Sequence, residues 1–298
     1  MMKTLFAATL IFLCALGAFA QKVQRYQNAK GDSHLCGVFP IETLEEDTVF
    51  QKWYKKGYED FALSGAKPDW AKTYKNMEVE IYLGTWCGDS KEWVPRFVKL
   101  WDELGMKREQ LQFTALYYGV DGKYKQGPNG EEKGKKIHRV PTFIFKQDGK
   151  EVARMVESPV NDLETDLAQI ALGYPSKPNY RGASYLLDLF EEDGAVEDET
   201  KQVEHFYEVY DLISSSSELN TLGHVLLEAG KTEEAVMTFY FNTLYFQYEP
   251  RVYKSYAEAL AKAGKKEDAI QNYEKVLLLD RNNEEAREEL RALKYGEE

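Results

Sequence analysis

The chain has 298 residues, 43% hydrophobic and 13% aromatic, which suits two globular domains and excludes a disordered chain. Its formal net charge of −12 repels phosphate backbones and anionic lipid surfaces, so no nucleic-acid partner is expected. At the N-terminus Met1-Met2-Lys3 is a short basic start, Leu5 to Leu16 is apolar, and Ala18-Phe19-Ala20 is small-x-small before Gln21. This is the pattern of a secretory signal peptide cut near Ala20. Cys14 would leave with it, and the bulky Phe12-Leu13 argue against lipid attachment there. No later run is long enough to cross a bilayer. The mature chain is therefore expected to be exported, periplasmic or secreted, with two cysteines, Cys36 and Cys87. In an oxidising compartment these either pair as a structural disulfide or leave Cys87 as a nucleophile.

Residues 21–47 show little periodicity, with a loop composition at Asn28 to Ser33 and a short strand at Leu35 to Pro40. From Thr48 to Leu63, Val49, Phe50, Trp53, Tyr54, Tyr58 and Phe61 recur at helical spacing, with Asp47 or Thr48 as the cap. Gly65 to Asp69 is a turn. Glu78 to Leu83 is a strand rich in β-branched and aromatic residues. Gly84-Thr85 ends it, and Trp86-Cys87-Gly88-Asp89-Ser90 leads into a helix through Trp101, stopped at Gly105. Leu111 to Tyr118 is the next strand. Residues 119–138 are rich in Gly, Lys and Asn, with a short helix expected near Gly130 to Ile137 and basic residues read as a solvated face. Val140-Pro141-Thr142 opens a strand to Phe145. Asp148-Gly149 is a hairpin turn, and Glu151 to Glu157 returns antiparallel. Val160 to Leu172 is an amphipathic helix ended by Gly173.

Three separated features in this order resemble the thioredoxin family. Trp86-Cys87-Gly88-Asp89-Ser90 looks like the family's W-C-x-x-C with serine last. Pro95 lies in the following helix, where thioredoxins also carry a proline. Val140-Pro141-Thr142 looks like the cis-proline loop that faces the active cysteine. The longer strings G-T-W-C-x-D-S, V-P-R-F, R-V-P-T-F-I-F and E-S-P resemble a subgroup of exported bacterial members. The resemblance spans about residues 48–172 and implies an α/β thioredoxin-like domain with Cys87, Ser90, Trp86 and Pro141 at its site. It also implies that Val140 and Thr142 offer a strand edge to an extended peptide.

Beyond it, Tyr174 to Gly182 is a proline-bearing linker, Tyr185 to Phe190 a helix, and Glu191 to Thr200 an acidic spacer. The rest is helical and repeats: Gly230-Lys231-Thr232-Glu233-Glu234-Ala235-Val236 returns as Gly264-Lys265-Lys266-Glu267-Asp268-Ala269-Ile270, an offset of 34 residues. Small residues at 223, 257, 235 and 269 alternate with Leu226, Phe239, Leu260 and Tyr273. This is the period and pattern of tetratricopeptide repeats, with Asn283 to Lys294 as the solvating helix. The expected divisions are a signal peptide 1–20, an extension 21–47, a thioredoxin-like domain 48–173, a linker 174–200 and an all-α helical-repeat domain 201–298.

A thiolate at Cys87 attacks a disulfide, but Ser90 cannot resolve the product. Cys36 is then a distant resolving or disulfide partner, an external thiol closes the cycle, or the site is not catalytic. Its partners would be protein thiols or disulfides, or a peptide on the repeat domain. A helix N-terminus lowers a thiol's pKa, whereas Asp89 raises it and Lys91 offsets Asp89. Arg139 and His138 add positive potential nearby, and His138 reads as a surface histidine rather than a base. The scattered histidines and cysteines give no metal-ligand spacing, so no cofactor or metal is expected.

Overall fold

Alternation along residues 77–83 places Val79, Ile81 and Leu83 on one face of a strand and Glu80 and Tyr82 on the other. The computed structural model describes residues 23–192 and 199–296, so the expected signal segment with Cys14 and the middle of the acidic spacer lie outside them. Among the described residues the strands are β1 (Gln24–Gln27), β2 (Ser33–Phe39), β3 (Met77–Leu83), β4 (Leu111–Ala115), β5 (Tyr118–Val120), β6 (Lys123–Tyr124), β7 (Thr142–Gln147) and β8 (Lys150–Val156). Six of them form one sheet in the order β1-β2-β4-β3-β7-β8, with β5 and β6 a separate hairpin. β3 and β4 run parallel, and the remaining pairs are antiparallel.

The helices of this part are α1 (Glu42–Glu46), α2 (Gln51–Glu59), α3 (Gly88–Glu103) and α4 (Leu163–Ala171). The apolar stripe of α3, with Val94, Phe97, Val98 and Trp101, packs on the Val79/Ile81 face together with Phe143 and Phe145. Ring contacts knit this core, Phe97 meeting Phe143 at 4.6 Å and Tyr74 meeting Trp101 at 5.3 Å between centroids. α2 crosses α3 where Gly57 faces Pro95, and a Cβ at 57 would lie 2.5 Å from the proline ring. The opposite face of the sheet is smaller. Tyr82, Leu116, Ile137, Val140 and Ile144 cluster there under the segment between β4 and β7. At its margin the half-buried Glu80 pairs with Lys135 and Lys146, each at 2.7 Å.

Several sequence expectations need correction. Residues 24–39, assigned to an extension, are part of the sheet: β2 pairs with β4 from Gly37 to Phe39. The helix expected from Thr48 is regular only from Gln51; residues 48–50 form a turn leading into it, in which the Asp47 side chain accepts from the Val49 N–H and its carbonyl accepts from the Gln51 N–H. Gly130 to Ile137 forms turns, not a helix. The linker is shorter than 174–182, since the next helix starts at Arg181.

The C-terminal part is all helical among the described residues: α5 (Arg181–Leu189), α6 (Glu199–Leu212), α7 (Ser216–Glu228), α8 (Thr232–Tyr245), α9 (Pro250–Lys262), α10 (Lys266–Leu279) and α11 (Glu284–Tyr295). The 34-residue repeat is visible in the backbone. α7 ends with Gly230 at φ +78 and the Lys231 N–H donating to the Leu226 carbonyl, and α9 ends with Gly264 at φ +76 and Lys265 donating to Leu260. Small residues allow close crossing, and a Cβ at Gly223 would sit 2.5 Å from the Phe239 ring. Ala235, Ala257 and Ala269 are buried at the related contacts.

Candidate functional site

Cys87 stands at the N-cap of α3 with extended backbone, between the end of β3 and the first helical turn. Gly84 makes that junction feasible. The Trp86 indole folds back over it, and a Cβ at 84 would meet the ring at 2.4 Å. Trp86 Nε1 donates to the Leu116 carbonyl at 2.9 Å, and its ring stacks on Tyr118 at 4.6 Å. Thr85 Oγ1 accepts from the Leu35 N–H at 3.1 Å, tying β2 to the same turn.

The half-buried Cys87 thiol donates to the Val140 carbonyl at 3.2 Å and lies 3.6 Å from Asp89 Oδ2. The peptide from Val140 to Pro141 is cis, and the Pro141 carbonyl accepts from the Glu157 N–H. Ser90 is buried; its hydroxyl accepts from the Gly84 N–H at 3.1 Å, and its position beside Cys87 favours the ionised sulfur. Thr142, expected to offer a strand edge to a peptide, does not: it is buried and paired with β3 at Tyr82 and with β8 at Val156, its hydroxyl donating to the Arg139 carbonyl at 2.7 Å. Burial pushes the Cys87 thiol pKa up, Asp89 adds to the rise, and the Ser90 donors pull the other way. The favourable helix start expected from sequence is thus outweighed by desolvation.

Cys36 sits on β2, buried, and burial likewise raises its thiol. Both cysteines are free thiols in the structure. Cys87 opens on a cleft of about 910 Å³ lined by residues from β2 and the loop before it, α3, the β5–β6 hairpin, the Arg139-Val140 segment, Glu157 and Thr221 of α7. Cys36 is not among the lining residues.

The cleft holds groups the sequence did not single out. Lys125, read with its neighbours as a solvated face, is only 4% exposed. Its Nζ lies 3.5 Å from the Tyr124 ring centroid and 5.9 Å from that of Trp86. Burial and Arg139 push its pKa down to about 7, while Cys87 favours its charged form. Arg139 lines the cleft as a clamp. It donates to Glu157 at 3.0 Å and to the Ser217 carbonyl of α7 at 2.8 Å, and lies 4.3 Å over the Tyr180 ring. His138 is not at the surface: it is 2% exposed, and neither ring nitrogen has a partner of good geometry. Burial and Arg139 depress its pKa to about 3, so it is neutral.

The only advance signal for Lys125 was the unusual length of its loop. Thr221 and Glu157 carried none, because their places depend on how α7 and β8 meet the hairpin. Among the described residues no cluster of His, Cys, Asp and Glu could hold a metal, and no helix is long and apolar enough to cross a membrane. No protein-family model matches the chain, and no curated protein matches it significantly. What the arrangement can do chemically therefore follows from its own geometry: present one thiol, beside the Val140 carbonyl just before β7, at the floor of a cleft carrying both charges and aromatic faces.

Proposed function

We propose that this chain is an exported thiol-disulfide exchange protein. In this reading a thioredoxin-like domain presents a single-cysteine C-x-x-S site, and tetratricopeptide-like repeats engage the protein partner. The observation that carries the reading is the placement of Cys87: at the start of α3, open to a large cleft, and 3.2 Å from the carbonyl of the residue before Pro141. The Cys87 thiolate attacks a partner disulfide, forming a mixed disulfide and releasing the partner's other sulfur as thiolate. An external thiol then attacks that mixed disulfide, takes over the bound sulfur and returns Cys87 as thiolate. Ser90 holds the thiolate by hydrogen bonding but supplies no second sulfur.

The raised thiol pKa refines the role. A sulfur of high pKa is a poor leaving group, so the mixed disulfide at Cys87 is slow to break once formed. The site then suits capture of a partner better than rapid turnover. The test incubates the full chain with a disulfide-containing peptide and searches for the adduct by mass spectrometry. An adduct on Cys87, absent from Cys87→Ser and released by added thiol, supports exchange. No adduct at any pH up to 10 overturns it.

A second reading rests on the same raised pKa and on the α7 wall of the cleft: a non-enzymatic peptide-binding module with an idle thiol. Undiminished partner binding by Cys87→Ser, together with absence of the adduct, would select it.

A further inference from the structure

We propose that Lys125 marks an anion subsite in the Cys87 cleft, and that the sulfur compound exchanged there carries a carboxylate close to its sulfur. The inference rests on the exchange reading of Cys87 for its substrate class, but the subsite itself does not.

The chain as a whole is acidic, yet this cleft gathers Lys30, Lys91, Lys125 and Arg139. Three carboxylates face them, and two are already engaged. Glu157 is paired with Arg139, and Asp32 accepts from Asn28 at 3.0 Å. Asp89 lies against the thiol. Lys30 is exposed. Lys125 differs from all of these. It is almost wholly buried, and among the described residues no carboxylate reaches it within ion-pair distance and no acceptor takes a hydrogen bond from its ammonium.

The backbone fixes it there. Lys125 has φ +58, in the left-handed region, its N–H donates to the Tyr117 carbonyl at 2.9 Å, and the Tyr117 N–H donates to the Gln126 carbonyl at 2.9 Å. Gln126 in turn donates to the Glu228 carbonyl at the end of α7. A clamped hairpin thus holds a long cationic chain inward, against aromatic faces that offset only part of its desolvation. An ammonium has three donors to place. The sulfur of Cys87 is not in hydrogen-bond contact with it, and both line the same cleft, so a ligand group bound there can face the two together. A carboxylate there would complete the ion pair, and its sulfur would face Cys87 with the Trp86–Tyr118 stack alongside.

The test compares an anionic and a neutral reagent that both alkylate a thiolate, iodoacetate and iodoacetamide, with Cys87 followed by peptide mass. At pH 6.5, where Lys125 still carries most of its charge, the rate ratio of iodoacetate to iodoacetamide should exceed that of mercaptoethanol. Lys125→Gln should lower the ratio about tenfold, the scale of one charge-assisted contact, and Lys125→Arg should largely keep it. A wild-type ratio no higher than mercaptoethanol's, or a ratio unmoved in Lys125→Gln, overturns the subsite. The wild-type ratio needs no variant, so the test survives a Lys125→Gln chain that fails to fold.

Two further arms separate a small molecule from a peptide as the source of the carboxylate: cystine against its dimethyl ester, and a peptide disulfide flanked by Glu against one flanked by Gln. The arm in which the full-length protein prefers the acid, and Lys125→Gln does not, names the source. No acid preference in either arm overturns the substrate class. A raised alkylation ratio without any disulfide adduct would overturn exchange while upholding the subsite.

Discussion

The Cys87 thiol and the Val140 carbonyl meet at 3.2 Å across 53 positions of sequence, joining the start of α3 to the segment that leads into β7. An acceptor at that distance favours the protonated thiol, as do burial and Asp89. Alkylation of Cys87 by iodoacetamide should therefore be slower at pH 7 than that of a free cysteine and should keep rising above pH 9. Asp89→Asn removes the nearby negative charge, so it should lower the thiol pKa and speed alkylation at pH 8 by about threefold. An unchanged rate would show that the carboxylate is not felt by the sulfur.

Ser90 joins two needs in one hydroxyl. Its oxygen takes the buried Gly84 N–H, and the same side chain, beside Cys87, favours the thiolate. Ser90→Ala should cost about 1–3 kcal/mol in urea unfolding, the range for a buried donor left without a partner. It should also move the alkylation profile of Cys87 to higher pH. Stability lost without a shifted profile would confine Ser90 to the backbone role.

His138 gives the fold an acid sensitivity. Its pKa is depressed to about 3 in the folded chain, against an ordinary 6.5 when unfolded. The unfolded chain therefore takes up the proton first as pH falls, and the stability this histidine contributes is complete above 6.5 and declines down to about 3. Between pH 7 and 5 that decline amounts to roughly 2 kcal/mol. His138→Leu should flatten the dependence by that amount in urea titrations at the two pH values. An equal decline in both proteins would assign the effect to other groups.

Arg139 ties the sheet to the helices through Glu157, the Ser217 carbonyl and the Tyr180 ring. Arg139→Met should destabilise the protein by about 2–3 kcal/mol, since it leaves a largely buried carboxylate unpaired. It should also speed limited proteolysis within residues 174–180. Cleavage at the wild-type rate would show that other contacts hold the junction.

The sequence was readable where the signal was local. Strand alternation at 78–83, the hairpin turn at Asp148-Gly149 and the helix after Cys87 depend on neighbours within a few positions, and each stands where expected. The repeat was legible because a closely similar seven-residue string returns with the same helix-ending glycine. β2 was only half legible: its residues read as a strand, but its membership of the sheet rests on pairing with β4, far along the chain. Lys125 and His138 were misread for a related reason. Polarity predicts exposure only until another part of the chain covers the residue, and here Tyr124, Trp86 and Tyr180 do so.

The contacts between sheet and helices described above all run through Tyr180, α5 and α7, with Lys136 reaching Asp188 and Glu191 and Gln126 reaching Glu228. In a stack whose repeats touch mainly their neighbours, energy is passed along one dimension. The helical part is therefore moored at its first turns and grows outward from the cleft. Repeat units added or removed at the far end would change the length of the helical part by increments of 34 residues. The thiol, the Val140 carbonyl and the buried lysine would keep their geometry, so the cleft and the far helices can vary separately.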